Sequence, residues 1–155
     1  MNVFVAAVCI GIVAGLRAFT APALVSWAAH LEWIHLEGTP LAFMGSKIAL
    51  VIFTLGALVE YVTDQLPKTP ARTVPPQLIA RVIMGGLSGA CVGLSGGTSL
   101  AIGAVLGIVG ALIGTYGGYH LRKGLVSGLN VKDILIAIPE DLIAIGLAYF
   151  TVAPR

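Results

Sequence analysis

Six ionisable residues, Arg17, Glu60, Asp64, Arg81, Glu140 and Asp141, stand within or at the edge of stretches that are otherwise apolar. The most pointed case is residues 136 to 146, IAIPEDLIAIG, where two adjacent carboxylates follow a proline. Charges set this deep in apolar sequence are costly unless paired, and they mark ion paths, proton relays or packing contacts. The chemistry these types offer is binding: a carboxylate takes up a proton or a cation, and a guanidinium neutralises a carboxylate. Depth and charge suggest two ion pairs, Arg17 with Glu140 or Asp141, and Arg81 with Glu60. Arg17 and Arg81 (+2) against Glu60, Glu140 and Asp141 (−3) leaves −1, one acid to receive a proton, a cation or a cationic group. Pro139 is expected to kink its helix and free the carbonyl of Leu135, because proline donates no hydrogen bond. A helix beginning at Val131 puts Glu140 roughly 14 Å into the membrane. The other reading of Glu140 and Asp141 is a helix start at the membrane interface, favoured by the helix dipole.

Such residues need a frame of membrane helices, and the composition supplies one. Of 155 residues, 57% are hydrophobic and 10% charged, with mean hydropathy +0.98. A soluble domain carries about 25% charged residues, so the surface is made for lipid. From Val82 to Tyr119 there is no Asp, Glu, Lys, Arg or His, and Ser95-Gly96-Gly97-Thr98 interrupts that run. It predicts two helices, the first starting at Pro75-Pro76, the second capped by Thr98 or Ser99. The whole reading is an all-α integral membrane protein, one domain over 1–155, with five transmembrane helices at 2–29, 41–66, 76–94, 98–120 and 131–153. Asn130 with Asp133 resembles a capping signal for the last.

An odd number of spans divides the loops between two sides. Lys68, Arg72, Arg122, Lys123 and Lys132 fall on one, Lys47 and Arg155 on the other. The cationic bias predicts a cytoplasmic amino terminus and an outside carboxyl terminus, with Trp27 and Trp33 flanking the outer end of the first helix. No Lys or Arg precedes the first apolar core, so that segment reads as an uncleaved helix, not a signal peptide.

Small residues recur at packing intervals: Gly85, Gly89 and Gly93, then Gly103 and Gly107, then Gly110, Gly114 and Gly118. Such ridges let backbones approach in lipid, within one chain or between copies in a homo-oligomer. GIVAGL at 11–16 and GIVGAL at 107–112 are nearly one string. Each leads toward an acidic pair, Glu60 with Asp64 and Glu140 with Asp141, which suggests an inverted repeat relating helices 1–2 to helices 4–5 about helix 3.

Other classes are excluded or open. A net charge of +2 without a basic run gives no nucleic-acid footprint. Cys9 and Cys91 lie in apolar stretches and form no disulfide framework or metal spacing. His30, Glu32, His35 and Glu37 are ligand types within eight residues; their spacing fits no standard zinc site, and an interfacial turn explains them as well. No metal or other cofactor is assigned.

The stretch EYVTDQLPKTPARTVPPQLIARVIMGGLSGA, with the earlier GIVAGLRAF, resembles a family of small bacterial integral membrane proteins catalogued as a domain of unknown function. The shared pattern is Glu60, Asp64 four residues on, the turn at Pro67 and Pro70, Arg72, and Arg81 leading the glycine-rich helix at Gly85 and Gly86. The resemblance implies a bacterial membrane location, here the inner membrane, and no activity.

Three functions fit these residues. The first is a small transporter or ion- or proton-coupled permeation protein, whose partners are the bilayer and an ion, proton or small molecule. The second is a structural or accessory subunit whose buried pairs fix helix packing. The third is a lipid-modifying enzyme using Asp64, Arg72 and Arg81. No acidic metal repeat, Gly-x-Ser-x-Gly elbow or His-acid-Ser set supports the third, so an enzyme is not expected.

Overall fold

The computed structural model describes residues 1–63 and 74–154, and every regular element among them is helical. In chain order these are α1 (Val3–Leu16), α2 (Thr20–His30), a short 3-10 turn (Ala42–Gly45), α3 (Lys47–Thr63), α4 (Pro75–Ser95), α5 (Leu100–Leu129) and α6 (Asp133–Val152). α4, α5 and α6 are long and apolar enough to cross a membrane, consistent with a membrane protein, whereas α1 is apolar but short. Local chemistry sets several starts. Asn2 accepts the Phe4 N–H at 2.8 Å, Ser46 the Ala49 N–H at 3.1 Å and Ser99 the Ile102 N–H at 3.2 Å, each filling a donor that a first helical turn leaves open. α4 opens on proline.

The expected helix over 2–29 is two helices. Arg17 is extended at φ −142°, ψ 111°, and the chain reverses there. A Cβ on Gly96 would run into the Val3 side chain, and the His35 N–H donates to Ser95 Oγ at 3.1 Å. The start of α1 and the chain leaving α2 therefore meet the same end of α4. α1 and α2 form a hairpin with its tip at Arg17–Phe19, and at 14 and 11 residues neither limb spans a core about 30 Å thick. Pro22 accounts for the break. It sits in the first turn of α2, where its missing N–H has no intrahelical partner; in an unbroken helix it would remove a bond to the Ala18 carbonyl and clash with it.

The remaining directions follow from contacts. α3 starts near His30, whose Nδ1 lies 3.0 Å from the Gly45 carbonyl, and passes Trp27, which donates to Thr54 at 3.0 Å. It then reaches Tyr61, whose hydroxyl bonds that of Thr20 near the tip. α6 passes Arg17 at Asp141 and ends near Trp33, which stands edge-on to Tyr149 at 5.9 Å between ring centroids. Both termini thus lie at one end of the bundle, which corrects the expected odd number of crossings with termini on opposite sides.

α1, α4 and α5 meet backbone to backbone. Cβ atoms on Gly11 and Gly107 would strike the carbonyls of Gly107 and Gly85, and one on Gly89 would come 2.7 Å from Gly107 Cα. Gly85, Gly89, Gly93, Gly103, Gly107, Gly110 and Gly114 are taken up in contacts within the chain. They also set direction. Gly11 lies on Gly107 and Gly15 on Ala111, so GIVAGL and GIVGAL run parallel as two sides of one interface; the expected inversion is absent. α5 runs nine residues beyond the expected 120, and Asn130 closes it in the left-handed region at φ 51°. Asn130 therefore ends α5 instead of capping α6, which Lys132 precedes.

Candidate functional site

A helix break leaves carbonyls at one end and N–H groups at the other without partners, and in apolar surroundings each must find one. At the hairpin tip the partners are ionisable. The Gly15 carbonyl accepts from Arg81 Nη1 at 2.8 Å and from Thr115 Oγ1 at 3.3 Å. The N–H groups of Ala18 and Phe19 donate to the two oxygens of Glu60 at 2.8 and 2.9 Å. Arg81 Nη2 lies 3.6 Å from Glu60 Oε1, so one ion pair serves both sides of the break. The Glu60 charge also faces the positive end of the α2 dipole.

Arg17 is fully buried, and its Nε donates to Asp141 Oδ1. Its guanidinium carbon lies 5.9 Å from the centroid of the Tyr61 ring, within cation–π range. Of the two adjacent acids, Asp141 is thus the one that meets Arg17. Glu140 points elsewhere: its Oε2 is 3.5 Å from Arg122 Nη1. Arg122, expected in a loop beyond the fourth helix, is brought to the bundle by the greater length of α5. The charge count changes accordingly. Arg17, Arg81 and Arg122 (+3) face Glu60, Glu140 and Asp141 (−3), so the expected excess acid is neutralised.

Pro139 lies inside α6, which begins six residues before it, so Glu140 and Asp141 do not start a helix. A cavity of about 180 Å³ lies beside Pro139 between α5 and α6, lined by Leu16, Leu121, Leu125 and Ile143, with Arg122 and Glu140 in its wall. Asp64, Lys68 and Arg72 lie outside the described residues. Among the described residues no three His, Cys, Asp or Glu side chains gather as a metal would need, His30, Glu32, His35 and Glu37 included.

The expected site thus divides in two. Arg17, Glu60, Arg81 and Asp141 gather at the tip, and Glu140 joins Arg122 beside the cavity. Tyr61, Thr20 and Thr115, which complete the tip, escaped the sequence reading. Thr115 carried a signal as an isolated hydroxyl in the run from Val82 to Tyr119, and Pro22 carried the signal for the break.

A folded-back helical pair closed by buried charges, inside a bundle whose long helices are apolar enough to cross a membrane, defines an all-helical protein of membrane type. The chain belongs to the DUF4126 family, a domain of unknown function, whose family model matches residues 4–154. No curated protein and no solved structure matches it.

Proposed function

We propose that the protein is a small transporter or permeation protein of the bacterial inner membrane, moving an ion or proton past the hairpin tip, and that it is not an enzyme. The supporting observation is the break itself. A helix is interrupted inside an apolar bundle, and its open backbone groups are held by Arg81 and Glu60. Broken helices at membrane depth occur where the backbone is buried in protein or lines a cavity, and in transporters they build ion sites. The 14 residues of α1 rise about 21 Å, which sets the tip inside a 30 Å core and not at its surface. Glu140 borders the cavity, and Asp141, next in sequence, is bonded to Arg17. A proton or cation arriving at Asp141 weakens its hold on Arg17, so binding there is coupled to the tip. Arg122, Lys123 and Lys132 lie toward the α5–α6 turn and Lys47 toward the opposite end. In the charge-bias rule this makes the α5–α6 turn cytoplasmic and puts both termini outside.

The test is ion and proton flux in proteoliposomes. The expected outcome is flux above that of protein-free vesicles, mostly lost in Glu140→Gln and Asp141→Asn while both variants stay folded. Flux equal to empty vesicles, or unchanged in both variants, overturns the reading.

The accessory-subunit reading draws support from a different observation: all six charges of the tip and cavity wall pair with one another. It expects Arg17→Leu combined with Asp141→Leu to leave behaviour intact, since a buried pair is often replaceable by apolar residues. The permeation reading expects that double variant to fold and to conduct nothing.

A further inference from the structure

The segment of α5 from Leu100 to Leu121 contains no Asp, Glu, Lys or Arg. Its 22 residues rise about 33 Å, a little more than the hydrocarbon thickness. Arg122 therefore falls at the far edge of the hydrocarbon, at the depth of lipid headgroups. The cavity between α5 and α6 runs from Leu16, beside the hairpin tip, out to Arg122, with Arg122 and Glu140 in its wall. Leu121, Leu125 and Ile143 line it and are also exposed on the outer surface of the bundle. The crevice thus opens sideways, toward lipid. Further cations lie between this level and the α5–α6 turn. Lys123 is exposed with its Nζ 5.9 Å from the centroid of the Tyr119 ring, and Lys132 is exposed immediately before α6. In the wall Arg122 faces Glu140; with Lys123 and Lys132 beyond it and Asp133 next to Lys132, this end of the bundle carries three cations (+3) against two carboxylates (−2), an excess of one positive charge.

We infer that this crevice is a binding site for one anionic phospholipid, its phosphate held among Arg122, Lys123 and Lys132 and one acyl chain laid along Leu121 and Ile143 toward the hairpin tip. Two features select that occupant. An apolar crevice with a cationic mouth at headgroup depth complements a chain with an anionic head. Access from the lipid side suits a molecule already in the bilayer. The site does not depend on whether the tip conducts ions.

Native mass spectrometry of the full chain, released from detergent with equal amounts of phosphatidylglycerol and phosphatidylcholine, tests it. One phosphatidylglycerol is retained in preference. Lys123→Gln and Lys132→Gln, both at exposed positions, each lower that preference about fivefold, the effect of one cation at a membrane surface. Leu125→Trp fills the crevice and lowers retention of both lipids, with an unchanged melting temperature showing that it folds. Excess inorganic phosphate does not displace the lipid. Equal retention of the two lipids, a preference untouched in both lysine variants, or displacement by inorganic phosphate alone overturns the inference. Should Leu125→Trp fail to fold, the two lysine variants decide.

Discussion

The hairpin tip and the wall of the α5–α6 cavity are made of the same residue types, yet they differ in what depends on them. At the tip, Arg17, Arg81 and Glu60 are 0, 2 and 9% exposed, and Glu60 and Arg81 hold three backbone groups that would otherwise be open. In the cavity wall, Arg122 and Glu140 are 15 and 11% exposed and meet each other at 3.5 Å, with space beside them. The first pair closes a break in the fold, whereas the second borders a place where something else can bind. A buried charge is thus read by counting the backbone groups that depend on it as well as by finding its ionic partner.

The strongest way to break this comparison is Glu60→Ala. It strips the acceptors from Ala18 and Phe19 and leaves Arg81 buried without its carboxylate. Removing one partner of a buried pair costs about 3–5 kcal/mol, enough to unfold a marginal protein. Thermal melting in detergent should show a large fall, with a smaller one for Glu60→Gln, whose amide oxygen can still accept one of the two N–H groups. If Glu60→Ala melts with the wild type, the tip is not held as described.

A middle-sized effect separates the buried glycine faces from the open ones. Gly107→Ala puts a methyl into the Gly85 carbonyl, where neighbouring backbone must shift; overpacking of this kind costs about 1–3 kcal/mol. Gly117 has nothing within 4 Å of an added Cβ, so Gly117→Ala should stabilise the helix by about 0.4–1 kcal/mol through the unfolded chain. Paired melts check both signs. Equal behaviour would mean that α1, α4 and α5 do not meet at their glycines.

Much of the frame was legible in the sequence. Val82 to Tyr119 read as two helices, the Glu60–Arg81 pair followed from depth, and Arg17 was assigned to one of two adjacent acids. The hairpin was missed for a physical reason. Apolar length suggests a spanning helix, and a re-entrant pair is apolar over the same length; only Pro22 marks the reversal, and proline is also tolerated in membrane helices. The inverted repeat failed because short Gly, Ala, Val and Ile strings recur wherever helices pack closely, so GIVAGL and GIVGAL match as two faces of one contact. Arg122 was missed because a charge after a long apolar run marks the membrane edge equally well whether the helix stops there or continues, as α5 does.

The smallest stability effect carries the sharpest test. Glu140→Gln keeps an oxygen that can accept from Arg122, so it costs far less than Glu60→Ala. Its melting temperature should stay close to that of the wild type, while the permeation reading expects most of its flux to vanish. That separation of stability from flux is what a binding wall predicts and a packing contact does not. If Glu140→Gln melts as low as Glu60→Ala, both pairs are structural and the distinction between tip and cavity disappears. If instead melt and flux both survive, the cavity serves some occupant other than the permeating ion, and the proposed phospholipid is then the one to measure against the same variant.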